Sequence, residues 1–278
     1  MSSVPDTLPR VRTTGMVWSL LETVFPRRCV GCGTGDWPFC GACGGHATTL
    51  GPPGCDRCGR PLEEEVDGCA DCPPPEVAWC RAPFLYAGPV RAGLLRLKFR
   101  GLRSHVDAFA PAMVAQLEMV GEKTTDYRPL EGAPSPRAGW TVTWVPLGAR
   151  RRRVRGFDQA QALAQAIGSV TGLPVRSLLE RVRETDPQAR RSGPDRRRAL
   201  ADAFRARPHP FPRVLLVDDV LTSGATAAAC ARALQAAGAR QVALVTAARS
   251  LGGPLPARCY NPAVLPPGSV VARERSSR

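Results

Sequence analysis

Four cysteine pairs constrain this chain more than any other feature. Cys29/Cys32, Cys40/Cys43, Cys55/Cys58 and Cys69/Cys72 are each a C-x-x-C, and nine of the eleven cysteines lie between Cys29 and Cys80. A disulfide framework would need an oxidising compartment and usually a secretory signal. The apolar stretch Met16 to Phe25 does not supply one: it is short, contains Glu22 and runs into Pro26-Arg27-Arg28 without a small-residue cleavage site. It is read instead as an amphipathic helix docking on the segment after it, in a cytoplasmic protein. Zinc is the stronger account, because a C-x-x-C knuckle brings two thiolates to one ion and a second knuckle completes the tetrahedron. Gly33, Gly44, Gly59 and Pro73 follow the pairs at once or one residue later, as tight knuckle turns prefer. Sequential pairing gives one site of Cys29, Cys32, Cys40 and Cys43 and another of Cys55, Cys58, Cys69 and Cys72. The gaps of 7 and 10 residues are shorter than in many zinc ribbons and leave crossed pairing open. Up to two structural Zn²⁺ ions are expected, supplying folding free energy that so small a module cannot draw from a core. Cys80, Cys230 and Cys259 fall outside the pattern and read as small apolar residues.

Charge marks the same border. The chain has 278 residues and a net charge of +14, with 36 Arg against two Lys, Lys98 and Lys123. Residues 1–28 carry +2, residues 29–82 carry −5, residues 83–207 carry +12 and residues 208–278 carry +5. An acidic cysteine module therefore precedes a basic body, and thiolates would make the module more negative still. That argues against the module as the main nucleic-acid reader and places any phosphate or nucleic-acid chemistry in the body. With 44% apolar residues the chain can form a core, and no run approaches the ~18 apolar residues of a membrane helix, so no membrane span is expected. The implied layout is an N-terminal amphipathic segment (1–28), a double zinc-ribbon module (29–82), a globular body (83–250) and a Pro/Gly/Arg-rich tail (251–278) read as disordered.

Within the body, strand-like and helix-like stretches alternate. A short strand is expected at 83–86, helices at 90–99 and 107–120, and a Pro/Gly-rich loop at 121–139. Leu94, Leu95, Leu97 and Phe99 form the expected apolar set of the first helix. A strand follows at 140–146, then an arginine-laden loop at 147–156 and a helix at 158–171. Residues 181–198 are charged, lack periodicity and read as a mobile loop. A buried strand at 213–219, a helix at 224–237 closed by Gly238 and a strand at 241–247 complete the series. This alternation predicts an α/β fold with a mainly parallel sheet.

The most informative stretch is Val214-Leu215-Leu216-Val217-Asp218-Asp219-Val220-Leu221-Thr222-Ser223-Gly224-Ala225-Thr226. Four apolar residues suit a central parallel strand, and two carboxylates follow at its C-terminal end, where open α/β sheets bind ligands. Backbone N–H groups and hydroxyls of the next residues can wrap a phosphate at a helix N-terminus. The segment resembles the 5-phosphoribosyl 1-pyrophosphate (PRPP) motif of type I phosphoribosyltransferases. The resemblance implies catalytic, ribose-contacting roles for Asp218 and Asp219. It implies 5′-phosphate binding by Thr222, Ser223, Gly224, Ala225 and Thr226, with Ser223 where many members carry Thr. A second likeness covers residues 17–249. Arg27-Arg28-Cys29, Leu97-Lys98-Phe99-Arg100-Gly101, Val145-Pro146-Leu147 and Arg155-Gly156-Phe157-Asp158-Gln159 are similar to the ComF family (competence protein F, GntX-like). Asp158 departs from the usual Asn, and Arg198 to Phe204 matches only loosely. This resemblance implies a double zinc ribbon ahead of a phosphoribosyltransferase-like domain at 83–250.

Two arginine clusters remain. Arg150, Arg151, Arg152, Arg153 and Arg155 follow the strand ending at Pro146, where the resemblance places the pyrophosphate contact, and Arg guanidinium forks suit that anion. Arg190, Arg191, Arg196, Arg197 and Arg198 lie in the second loop. Both clusters could also track a single-stranded DNA backbone, for which Phe157 is the one candidate stacking residue, with packing into the core its equal alternative. Two functions follow from the resemblance. One is a protein that binds PRPP or a related phosphorylated ligand with Mg²⁺ and transfers its phosphoribosyl group to an unread acceptor. The other is a non-catalytic accessory protein of DNA uptake and natural transformation, contacting single-stranded DNA and competence proteins. His46, His105 and His209 form no metal or triad pattern.

Overall fold

The computed structural model describes residues 27–101, 104–121, 139–183 and 202–259. The expected N-terminal helix at 16–25, most of the loop at 121–139, the cluster Arg190 to Arg198 and most of the tail lie outside them. Among the described residues no helix is long and apolar enough to cross a membrane.

The body is an α/β layer structure around a five-stranded sheet. Strands β1 (Cys80–Arg81), β2 (Phe84–Leu85), β3 (Trp140–Trp144), β6 (Arg213–Leu221) and β7 (Gln241–Arg249) form it, with both β1 and β2 pairing with β7. Every pairing is parallel, as the alternation of elements predicts. Helices α2 (Gly88–Arg100), α3 (His105–Gly121), α5 (Gln159–Thr171) and α6 (Ala225–Ala236) cover it. A short helix α1 (Gly41–His46) belongs to the cysteine module.

Side-chain alternation along β6 splits the core in two. Val214 and Leu216 face α6, while Leu215 and Val217 face α2, α3 and α5. Both faces are covered, which is why Val214 to Val217 form a continuous apolar run. The cysteine module joins both cores. Cys55 and Cys58 pack in the α6-side core, and Val30, with Trp37 and Phe39 against it, packs in the opposite one.

Four elements differ from the sequence expectation. Strand β6 continues two residues past Asp219, so the acidic pair lies inside the strand rather than at its last residues. The arginine segment is not a loop but a helix, α4 (Ala149–Arg155), closed by Gly156 in the left-handed region at φ 74°. Arginine is a good helix former, and glycine adopts this terminating conformation without a Cβ clash. Leu179–Arg181 (β4) and Phe204–Ala206 (β5) pair antiparallel and flank the segment expected as a loop. Finally, Phe99 is not core: Val90, Leu94 and Leu97 are fully buried, whereas Phe99 is 68% exposed.

Candidate functional site

The cysteines resolve into two clusters with sequential, not crossed, pairing. Cys29, Cys32, Cys40 and Cys43 lie within 4.8 Å of one another, as do Cys55, Cys58, Cys69 and Cys72. Tetrahedral zinc with Zn–S bonds near 2.3 Å requires sulfur–sulfur edges of about 3.8 Å. The Cys32–Cys40 separation is 3.9 Å, and Cys55–Cys72 and Cys58–Cys69 are each 3.5 Å. Backbone N–H groups aim at the sulfurs, Cys40 N to Cys29 Sγ and Cys69 N to Cys72 Sγ, both at 3.3 Å. The Thr34 hydroxyl donates to Cys32 Sγ at 3.2 Å, and this bond leads the lowering of the Cys32 thiol to about 6. Four thiols held this way fit structural zinc, with no position left for a water or substrate.

Arginines fasten each cluster to the body. On α2, Arg96 donates to the carbonyls of Val30 and Gly31, and to that of Cys32 at 3.1 Å. The second cluster leans on Arg249, at the end of β7. Arg249 is 2% exposed, and its guanidinium donates to Cys58 O at 2.5 Å and Asp71 O at 2.9 Å. Burial alone would raise the Cys58 thiol, but the nearby Arg249 charge helps hold it below its ordinary value. Motif spacing does not single out Arg249, because one arginine among 36 carries no signal of burial.

The second cluster also abuts the expected phosphate loop. Gly224 sits at φ 72°, and a Cβ there would meet Pro74 Cδ at 2.9 Å and Pro73 Cβ at 3.5 Å. Only glycine satisfies both the left-handed backbone and this close approach. Arg57 donates to Pro73 O at 2.8 Å and Pro74 O at 3.1 Å, and Glu76 pairs with Arg232 of α6 at 2.6 Å. The segment leaving Cys72 is thereby tied to the helix that the loop begins.

That helix starts bare. Gly224 is its N-cap, no side chain caps it, and its first turn carries no acidic residue. A helix N-terminus leaves backbone donors without intrahelical partners and carries partial positive charge. Thr222 and Ser223 are exposed beside it, Ala225 is buried and Thr226 half-buried.

Asp218 and Asp219 lie just past the end of β3, whose last residue, Trp144, pairs with Val217. They therefore sit at the strand end where an open α/β sheet offers its ligand crevice. Asp219 is 5% exposed, and Lys98 Nζ reaches its Oδ2 at 2.8 Å. Burial would lower the Lys98 ammonium, yet the Asp219 charge and hydrogen bond, with Asp218 behind them, raise it. Gln159 Nε2 donates to the same Oδ2 at 3.3 Å, while its buried Oε1 has no partner among the described residues. Burial, then the Asp219 charge, pushes the Asp218 carboxyl well above the usual range. Lys98 falls outside the residues that sequence patterns assign to the site, although a lysine in so arginine-rich a chain is itself a signal.

The Arg155 to Gln159 motif acquires a role at each position. Gly156 ends α4, and of the two readings of Phe157, stacking residue or core residue, the structure takes the second, with the residue 8% exposed in the core. Asp158 caps α5, accepting from Ala160 N at 3.0 Å and Gln161 N at 3.2 Å, and also from Leu147 N at 2.9 Å. Of the five arginines, Arg155 comes near the acidic pair; burial lowers its pKa and the Asp219 charge opposes that. Arg152, Arg153 and Arg150 are exposed on α4 and Arg151 is half-buried. Arg152 lines a cavity of about 410 Å³ together with Trp144, Asp158 and Arg207.

Comparison with known proteins matches residues 20–73 to the double zinc ribbon domain family. Competence protein F of Haemophilus influenzae is 29% identical, over 71% of this chain and 85% of its own. DNA utilization protein YhgH of Salmonella typhi is 31% identical, over 77% of this chain and 92% of its own. The Escherichia coli protein of the same name is 32% identical, over 78% and 92%. No solved structure matches significantly. Two four-cysteine clusters ahead of a parallel α/β body, with likeness to these relatives over most of both chains, show that this protein belongs to the ComF family, which includes competence protein F and the YhgH proteins.

Proposed function

We propose that the α/β body binds a phosphoribosyl ligand, PRPP or a related compound, and that zinc in both four-cysteine clusters holds the surrounding fold. The observation that carries this reading is the bare N-terminus of α6 standing next to the Asp218/Asp219 pair. Backbone donors and the hydroxyls of Thr222, Ser223 and Thr226 would hold the 5′-phosphate, with Gly224 and Ala225 bringing the chain close to it. The carboxylates would accept from the ribose hydroxyls, and the orphaned Gln159 Oε1 offers one more acceptor. If transfer occurs, the ribose C1–pyrophosphate bond breaks, the acceptor bonds to C1, and the acidic pair stabilises the cationic ribose between these events. Mg²⁺ would arrive with PRPP, held largely by its pyrophosphate and ribose oxygens.

Calorimetric titration of the zinc-loaded protein with PRPP and Mg²⁺ tests the reading. Saturable binding that Asp218→Asn and Asp219→Asn both weaken supports it; no heat of binding from the folded protein refutes it.

A second reading rests on the exposed Arg150, Arg152 and Arg153 of α4. Relatives named for competence and DNA utilization make single-stranded DNA a fitting partner for these guanidiniums in an accessory role. Binding that weakens with salt, with a log–log slope of about −0.7 per phosphate contacted, would support backbone tracking. A flat salt dependence would count against it.

A further inference from the structure

Phe99 is a large aromatic ring left outside the core. Successive residues of a helix turn by about 100°, so Phe99 lies roughly 200° beyond Leu97, off the stripe of Val90, Leu94 and Leu97. Scattered exposed apolar side chains are ordinary and need no ligand to explain them. Three observations set Phe99 apart. Its exposure is 68%, and among the described large apolar side chains Val154, at 82%, is the one that exceeds it. The Arg155 guanidinium stands over the ring, 5.0 Å from its centroid. Its neighbour in the chain, Lys98, bonds Asp219 at 2.8 Å, so the helix turn that carries the ring runs beside the acidic pair. The Asp219 charge is felt at Arg155 as well, so the guanidinium 5.0 Å from the ring centroid lies within electrostatic reach of the acidic pair.

We infer that Phe99, backed by Arg155, is a stacking platform for the nucleobase of a nucleoside 5′-phosphate whose sugar and phosphate occupy Asp218/Asp219 and the Thr222–Thr226 loop. The inference rests on the proposed phosphoribosyl site and adds a base to it. An aromatic face paired with a planar cation suits any nucleobase, because every base has a π-face and arginine stacks on rings as well as pairing with phosphate. The nucleotide unit could be free or part of a single strand, since both present the same base, sugar and phosphate.

The test compares ribose 5-phosphate, AMP and oligo(dT) as ligands of the zinc-loaded full chain, its Phe99→Ala variant and its Phe99→Trp variant. Phe99 packs in neither core, so both variants should keep wild-type circular dichroism and zinc content. The expected result is that Phe99→Ala weakens AMP or oligo(dT) on the order of tenfold, leaves ribose 5-phosphate unchanged, and that Phe99→Trp restores the loss. A loss confined to AMP identifies a free nucleotide, and one confined to oligo(dT) identifies the strand. Unchanged affinity for both in Phe99→Ala overturns the platform while the phosphoribosyl site stands. Failure of the wild type to bind ribose 5-phosphate overturns the site itself, and the platform with it.

Discussion

Replacing Lys98 by methionine is the sharpest perturbation of the acidic pair. The lysine stem is nearly isosteric with methionine, so the packing of the stem is largely kept while the charge is lost. Lys98 and Asp219 side chains are 19% and 7% exposed, which makes this a buried pair rather than a surface one. Removing one partner of a buried pair leaves the other charge uncompensated, at about 3–5 kcal/mol. For a domain of this size each kcal/mol shifts Tm by about 2–4 °C, so Lys98→Met should lower Tm by about 6–20 °C. Gln159 Nε2 still donates to Asp219 and places the result toward the lower end. Adding Asp219→Asn removes the stranded charge, so the double variant should recover most of the loss. Thermal melts of the four proteins, analysed as a double-mutant cycle, give the coupling directly. A loss below about 1 kcal/mol for Lys98→Met, the range of a solvent-exposed pair, would refute the buried-pair reasoning.

Three further outcomes rest on the same geometry. Metal analysis should return about two zinc ions per chain, and Cys58→Ser should lower Tm more than Cys32→Ser, because Cys58 is buried in the α6-side core while Cys32 is exposed. Arg249→Met removes two charge-assisted bonds at about 1.5–3 kcal/mol each and should lower Tm and free the second site's zinc to a chelator faster than wild type; unchanged release would contradict the tie. Asp218 has a raised carboxyl in the fold, so its stabilising contribution is present below the ordinary carboxylate range near pH 3.9 and is lost as pH rises through the raised value. Asp218→Asn should therefore gain Tm over wild type at pH 8 and gain less at pH 5, and a pH-independent difference would contradict the assigned burial.

Local pattern carried much of this structure. Four C-x-x-C pairs announce two four-cysteine clusters, although spacing alone could not decide their pairing; that required Cys29, Cys32, Cys40 and Cys43 to meet in three dimensions. The run Val214 to Val217 announces a central strand because both its faces are covered. The end of β6 was harder to read, since carboxylates look like a strand end and here continue pairing with β7. Strands β4 and β5, three residues each, are too short to show a period. Phe99 satisfied an apolar count and failed the geometry, because adjacency in sequence does not place a side chain on the buried stripe. Lys98, Gln159 and Arg249 act through partners far away in the chain, and no local spacing encodes those meetings.

Backbone amide shifts of the zinc-loaded protein during titration with ribose 5-phosphate test the central claim most directly. Binding at the proposed site should move Thr222 to Thr226 and the Asp218/Asp219 amides first and furthest, with saturation at a single affinity, and Asp219→Asn should weaken that affinity. Saturable shifts confined to the arginines of α4, or no shifts at millimolar ligand, would contradict a phosphoribosyl site at the end of β6.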